Sequence, residues 1–125
     1  MTIAYWCVLA AGLLPYFTVG IAKWSKRYDN RSPRDYEAAL EGRRKRAHFA
    51  HLNGFETFPL FAAGVIIAHQ LHAAQNVIDS LALTFIAARL VFVGFYLADK
   101  ATLRSLAWTV GMGCNIALFV IAARA

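Results

Sequence analysis

Residues 77–98 of this 125-residue chain, VIDSLALTFIAARLVFVGFYLA, form a long and almost uncharged apolar segment. Its only charged side chains are Asp79 and Arg89. An α-helix rises about 1.5 Å per residue, so roughly 20 mostly apolar residues cross the core of a bilayer. The stretch therefore predicts a transmembrane helix.

Three further apolar runs predict spans over about 3–22, 47–71 and 103–123. Backbone groups in lipid must be hydrogen-bonded internally, so only helices or closed barrels cross a membrane. Four strands cannot close a barrel, and the runs do not alternate between apolar and polar residues. We therefore expect an all-α integral membrane four-helix bundle that forms a single domain over residues 1–125.

The composition excludes disordered chains and argues against an ordinary soluble domain. Hydrophobic residues make up 59% of the chain and charged residues 16%, against about 45–50% and 25% in soluble domains. The mean hydropathy is +0.47. The net charge of +6 could indicate a nucleic-acid ligand. Because apolar runs flank the basic residues, we expect a membrane partner and no nucleic acid.

The basic residues predict the orientation in the membrane. The loop over residues 23–46 carries nine of the thirteen Lys and Arg residues. The third loop carries Lys100 and Arg104, whereas the second loop carries no base. The positive-inside rule therefore places the first and third loops in the cytoplasm and both termini outside.

Bases rather than a cleavage site follow the first span, so no cleavable signal peptide is expected. A second interpretation of the first loop, that some of its bases enclose an anionic ligand, stays open.

Local patterns predict where helices begin. Asn76 with Asp79 three residues later is typical of an N-cap and its acidic partner. Ser32 followed by Pro33 predicts a short surface helix over about 33–40. Thr102 is the candidate cap of the fourth span.

Polar residues within the predicted spans are costly in lipid and are therefore candidates for function. Glu56 and Arg89 are the clearest cases, and Asn53 lies one turn from Glu56. At about 100° per residue, these groups share one face of the second and third spans with Tyr96. We expect a Glu56–Arg89 ion pair between antiparallel helices. Either the pair only fixes packing, or the cluster binds a small anionic, amide-bearing ligand from the cytoplasmic side.

Cysteine and histidine indicate neither a disulfide nor a metal site. Cys7 and Cys114 lie inside apolar runs and are typical of buried core residues. His48 and His51 have a spacing of three residues, but no carboxylate or thiol joins them as a third ligand. We expect no bound metal.

The segment RAHFAHLNGFETFPLF, residues 46–61, resembles the second-helix signature of the MAPEG family, the membrane-associated proteins of eicosanoid and glutathione metabolism. The Asn-x-x-Glu-x-x-Pro core of that signature is present as Asn53, Glu56 and Pro59. The resemblance extends over nearly the whole chain. It includes the loop 30–34, Ala88-Arg89-Leu90 with Tyr96, and Leu103-Arg104-Ser105.

The resemblance implies a homotrimer of four-helix subunits. Family enzymes bind glutathione as a cosubstrate in a polar pocket between adjacent subunits, open to the cytoplasm, and a lipophilic molecule lies in the membrane groove alongside. The implied function is a glutathione-dependent transferase or peroxidase that acts on lipophilic electrophiles. The chain looks like a bacterial member, which implies the inner membrane.

Residue by residue, the resemblance implies that Arg104, with Ser105 beside it, activates the thiol. A guanidinium close to a thiol favours the thiolate, which is the nucleophile, and arginine stays charged throughout. The residues that match positions contacting glutathione, or that could replace one, are Arg31, Arg46, His51, Asn53, Glu56, Arg89 and Tyr96.

The chain departs from the family pattern at three polar positions. Phe49 replaces an arginine, Phe92 replaces a tyrosine, and Thr57 stands where a tyrosine is frequent. The alternative function is therefore a non-catalytic protein of the same fold, whose polar pocket binds a lipid headgroup or another anion. A proton-coupled multidrug transporter is disfavoured because the first span contains no acidic residue.

Overall fold

Five helices make up the computed structural model, which describes residues 1–125. They are α1 (Ile3–Lys23), α2 (Pro33–Ala38), α3 (Gly42–Gln70), α4 (Gln75–Leu97) and α5 (Ala101–Ala123). The predicted all-α fold is confirmed. The short α2 falls within the predicted surface helix, with Ser32 at its N-cap and Pro33 at its first position.

Three of the helices, α1, α4 and α5, are long and apolar enough to cross a membrane. They coincide with three of the four predicted spans. The remaining predicted span lies inside α3, which also carries four bases at its start and Asn53 and Glu56 further along. That α3 crosses the membrane with the other three stays a prediction.

The main core lies where the four long helices meet, with α1 packed along α3 and α4 along α5. Phe61 of α3 stacks on Phe85 of α4, with 4.0 Å between ring centroids. Val65, Ile78 and Leu118 are fully buried around this pair. Many large apolar side chains elsewhere on the long helices are exposed, as expected for surfaces that face lipid or another subunit.

Residues 23–46 and the turn between α4 and α5 form one end of the bundle, here called the basic end. A small apolar cluster of Ala22, Leu40 and Ala47 closes this end. A salt bridge of 3.3 Å joins Lys23 of α1 to Glu37 of α2. These contacts hold the short helix against the ends of α1 and α3.

The helix that contains the second predicted span begins before that span. The helix begins at Gly42, so the bases 43–46 form its first turn and do not belong to a loop. Gly42 has φ of +61°, which lets the chain turn into the helix after the extended Glu41. Arg and Lys are good helix formers, so the loop observed before α3 ends earlier than residue 46.

Two tight turns join α3 to α4 and α4 to α5. Each contains one residue with φ of 58°, His72 in the first and Asp99 in the second. The next residue in each turn, Ala73 or Lys100, donates its N–H to a carbonyl five residues earlier, at 3.0 and 2.9 Å. This closure is typical of a helix C-terminus.

Two predicted caps are wrong. The N-cap of α4 is Ala74, and Asp79 instead accepts a 2.9 Å hydrogen bond from the N–H of Ala4 in α1. The first N–H groups of α1 have no partner within their own helix, so a carboxylate from a neighbouring helix satisfies one of them. The N-cap of α5 is Lys100, which places Thr102 inside the helix.

A close approach of α3 to α1 depends on Gly54. A Cβ atom at Gly54 would lie 2.8 Å from Cγ of Pro15, a rigid ring. We expect Gly54→Ala to lower the free energy of unfolding by about 1–3 kcal/mol, because the two helices must separate to admit the methyl group. Thermal and denaturant unfolding of the detergent-purified protein measures this change.

Gly94→Ala is the matched control for Gly54→Ala. Gly94 also lies within a helix, but a Cβ atom there meets nothing within 4 Å. Because alanine is the better helix former, this variant should be as stable as the wild type or more stable. Equal losses of stability in the two variants would contradict the close packing of Gly54 on Pro15.

Candidate functional site

A chain of polar side chains links α4 to α3 through the predicted cluster. Arg89 is only 4% exposed, and its Nη1 donates a 2.8 Å hydrogen bond to Oδ1 of Asn53. Nδ2 of Asn53 in turn donates to Oε2 of Glu56 at 3.1 Å. The predicted Glu56–Arg89 ion pair is therefore wrong in detail, because the Asn53 amide lies between the two charges. Both hydrogen bonds fix which way this amide points.

The guanidinium of Arg89 is held on two sides. Its Cζ lies 4.3 Å from the centroid of the Phe92 ring, in a cation–π contact. Its Nη2 is buried and has no hydrogen-bond partner in this subunit. A buried charge with an unsatisfied donor is costly, so the Asn53 contact is essential for holding Arg89 in place.

A groove of about 460 Å³ opens beside these hydrogen-bonded side chains, between α3, α4 and α5. Its volume lies in the range of about 300–1,000 Å³ that is typical of small-molecule sites. The groove brings together four predicted site residues, Asn53, Tyr96, Arg104 and Ser105. The other lining residues are Phe92, Trp108 and Thr109, so the wall is part aromatic and part polar.

Arg104 provides the positive charge of the groove. Its Cζ lies 4.3 Å from the centroid of the Tyr96 ring, in a cation–π contact that holds the guanidinium against α4. Phe92 meets the same ring edge-on, with 5.5 Å between centroids. The hydroxyl of Ser105 donates to the carbonyl of Ala101 at 3.1 Å, so its oxygen retains lone pairs that can accept a hydrogen bond.

The structure places the other predicted site residues outside this groove. Arg46 donates through Nη2 to the carbonyl of Leu97 at 3.4 Å, at the end of α4. His51 faces α1, with Nδ1 2.7 Å from the carbonyl oxygen of Pro15. Arg31 is exposed in the loop before α2, and its side chain forms no hydrogen bond or ion pair in this subunit.

Besides Phe92, two lining residues, Trp108 and Thr109, were absent from the predicted site. The sequence signal was their spacing, because residues three to five positions after Arg104 return to neighbouring faces of the same helix. Trp108 also lies near the start of a predicted span, where tryptophan is typical of the membrane interface. It is 37% exposed, and part of its surface lines the groove.

The family model described as MAPEG family matches residues 3–124. The chain belongs to the MAPEG family. No curated protein matches the chain. The match includes every residue of the groove and, together with the three apolar helices, supports an integral membrane protein. The resemblance predicted from residues 46–61 is thereby confirmed.

Proposed function

We propose that this MAPEG protein is a membrane-bound, glutathione-dependent transferase or peroxidase that acts on lipophilic electrophiles. The observation that carries the proposal is the groove in which Arg104, Tyr96, Ser105 and Asn53 come together. Glutathione is an anionic peptide with amide groups and a thiol. Such a ligand matches a groove that contains a cation, an amide and a hydroxyl beside aromatic rings.

In this proposal Arg104 stabilises the thiolate of glutathione. The guanidinium stays protonated, so its charge lowers the pKa of a nearby thiol without any proton transfer to the arginine. Stacking on Tyr96 holds that charge in place before the ligand binds. With an aryl halide, the thiolate sulfur forms a bond to the ring carbon and the halide departs with its electron pair.

A homotrimer would complete the site. Glu56 is exposed in the single subunit, although it lies midway along α3. An exposed carboxylate at that depth is costly against lipid, so we assign it to the boundary with a neighbouring subunit. Arg31 and Arg46, which lie outside the groove of their own subunit, are proposed to contribute bases to the shared pocket. His51, which faces α1, is the weakest of the proposed contacts.

One observation favours the alternative, a non-catalytic protein that binds a lipid headgroup or another anion in the same groove. Thr57 is buried, and its hydroxyl lies 3.2 Å from the Asn53 carbonyl and 3.3 Å from that of Gly54. It therefore offers no donor to the groove, and Phe92 offers only its ring. A groove with fewer polar contacts suits a smaller anion better than a tripeptide.

A thermal-shift measurement separates the two functions. If glutathione binds, a concentration ten times its dissociation constant should stabilise the detergent-purified protein by about 1.4 kcal/mol. An unrelated tripeptide of the same net charge is the control ligand. A rise in Tm with glutathione alone supports the proposal. The absence of a shift at millimolar glutathione, or an equal shift with the control tripeptide, would leave only the non-catalytic function.

A further inference from the structure

A second ligand-binding surface lies at the basic end, apart from the groove. Two adjoining surface depressions share Trp24 and Arg44. The first is also lined by Ile21, Glu41 and Arg43, and the second by Ser25 and Lys26. We call these seven residues the Trp24 surface. None of them lines the groove described above.

The charge of the Trp24 surface is not neutralised within the subunit. It contains three bases, Lys26, Arg43 and Arg44, and one acid, Glu41. None of these four residues takes part in either ion pair of the chain. Arg44 nevertheless has one partner within the subunit, because its Nη2 donates a 2.7 Å hydrogen bond to the carbonyl of Trp24. This contact fixes a guanidinium at the end of α1, with its other donors free for an anion.

An apolar track leads away from these bases along α1. Phe17 is 73% exposed, and Ile21 and Trp24 are exposed on the following turns. Their spacing of four and three residues places them on one stripe of the helix. Since α1 is apolar enough to cross a membrane, its end at Trp24 lies where an aromatic side chain meets the headgroup region.

We propose that the Trp24 surface binds the headgroup of an anionic phospholipid, whose acyl chain lies along Phe17 and Ile21. The phosphate would contact Arg43, Arg44 and Lys26. A phospholipid combines an apolar chain, an interfacial glycerol and an anionic phosphate in that order. The apolar track, Trp24 and the bases follow the same order along the molecule. The binding does not depend on any activity in the groove.

Fluorescence quenching at Trp24 tests this proposal. The variant Trp6→Phe/Trp108→Phe retains Trp24 as its sole tryptophan and is reconstituted in vesicles of phosphatidylcholine and phosphatidylglycerol. Either lipid carries brominated acyl chains, at matched mole fractions. We expect phosphatidylglycerol to associate at Trp24 at least about fivefold more strongly than phosphatidylcholine. A single base near an anionic headgroup already contributes about a fivefold preference.

Added substitutions identify the bases responsible. Lys26→Gln/Arg43→Gln removes two positive charges and keeps the Arg44–Trp24 hydrogen bond, and it should bring the lipid preference close to one. Arg34→Gln/Lys100→Gln removes the same charge elsewhere on the exposed surface and should leave the preference unchanged. Equal quenching by the two brominated lipids would overturn the proposal. So would a preference that survives Lys26→Gln/Arg43→Gln, or one that the control variant abolishes equally.

Discussion

Replacing Arg104 with alanine should lower kcat/KM for glutathione conjugation by about 100-fold or more. Removing one preorganised electrostatic group that stabilises the reacting charge has an effect of this size. Without the guanidinium, the bound thiol stays protonated at neutral pH. Ultraviolet absorbance of the thiolate, recorded on adding glutathione to the protein, measures this step directly, and the rate with an aryl halide measures its consequence.

Two further variants make the Arg104 result specific. Arg104→Lys keeps the positive charge but loses the guanidinium that lies over the Tyr96 ring, so it should retain part of the thiolate signal. Lys100→Gln removes a cation one turn earlier that does not line the groove, and it should conjugate at the wild-type rate. Unchanged thiolate absorbance and kcat/KM in Arg104→Ala would exclude Arg104 as the activating residue.

Asn53→Leu should lower the free energy of unfolding by about 3 kcal/mol. This substitution removes the acceptor of Arg89 Nη1, whose Nη2 already has no partner, and so leaves a buried charge without a hydrogen bond in this subunit. Adding Arg89→Met should recover much of the loss, because two apolar side chains then replace the polar pair. Unfolding of the single and double variants in detergent gives the coupling energy between the two residues.

The exposed Asn76 provides the control for this pair. Its side chain forms no hydrogen bond to another helix, so Asn76→Ala should change stability by less than about 0.5 kcal/mol. Additive losses in Asn53→Leu/Arg89→Met, with no recovery, would contradict the role of Asn53 as the partner of Arg89.

Much of the fold could be predicted from the sequence, because the apolar runs have the lengths that helices in lipid require. The charges at the ends of these runs were harder to place. The bases 43–46 suggested a loop, yet a glycine with positive φ starts the helix just before them. Asp79 matched a local capping pattern, but its carboxylate accepts the N–H of Ala4 in α1, and a contact between distant helices cannot be deduced from local spacing.

The candidate site could be predicted in part, because spacing along a helix shows which residues share a face. Helical phase correctly put Asn53, Arg89 and Tyr96 near one another, since that depends only on spacing within each helix. It could not show that Asn53 lies between Arg89 and Glu56, or that His51 faces α1. Asn115, which lies outside the groove, was also overlooked as a polar residue within a predicted span. The structure buries its amide completely and without a hydrogen-bond partner, which is unusual.

Calorimetric titration of glutathione into the detergent-purified wild type and Arg104→Ala tests most directly whether the groove is a glutathione site. The groove chemistry predicts saturable binding to the wild type and at least tenfold weaker binding to Arg104→Ala, since one charge-assisted contact contributes about 1.5–3 kcal/mol. Heats no larger than those of dilution at millimolar glutathione, or identical binding to both proteins, would contradict it.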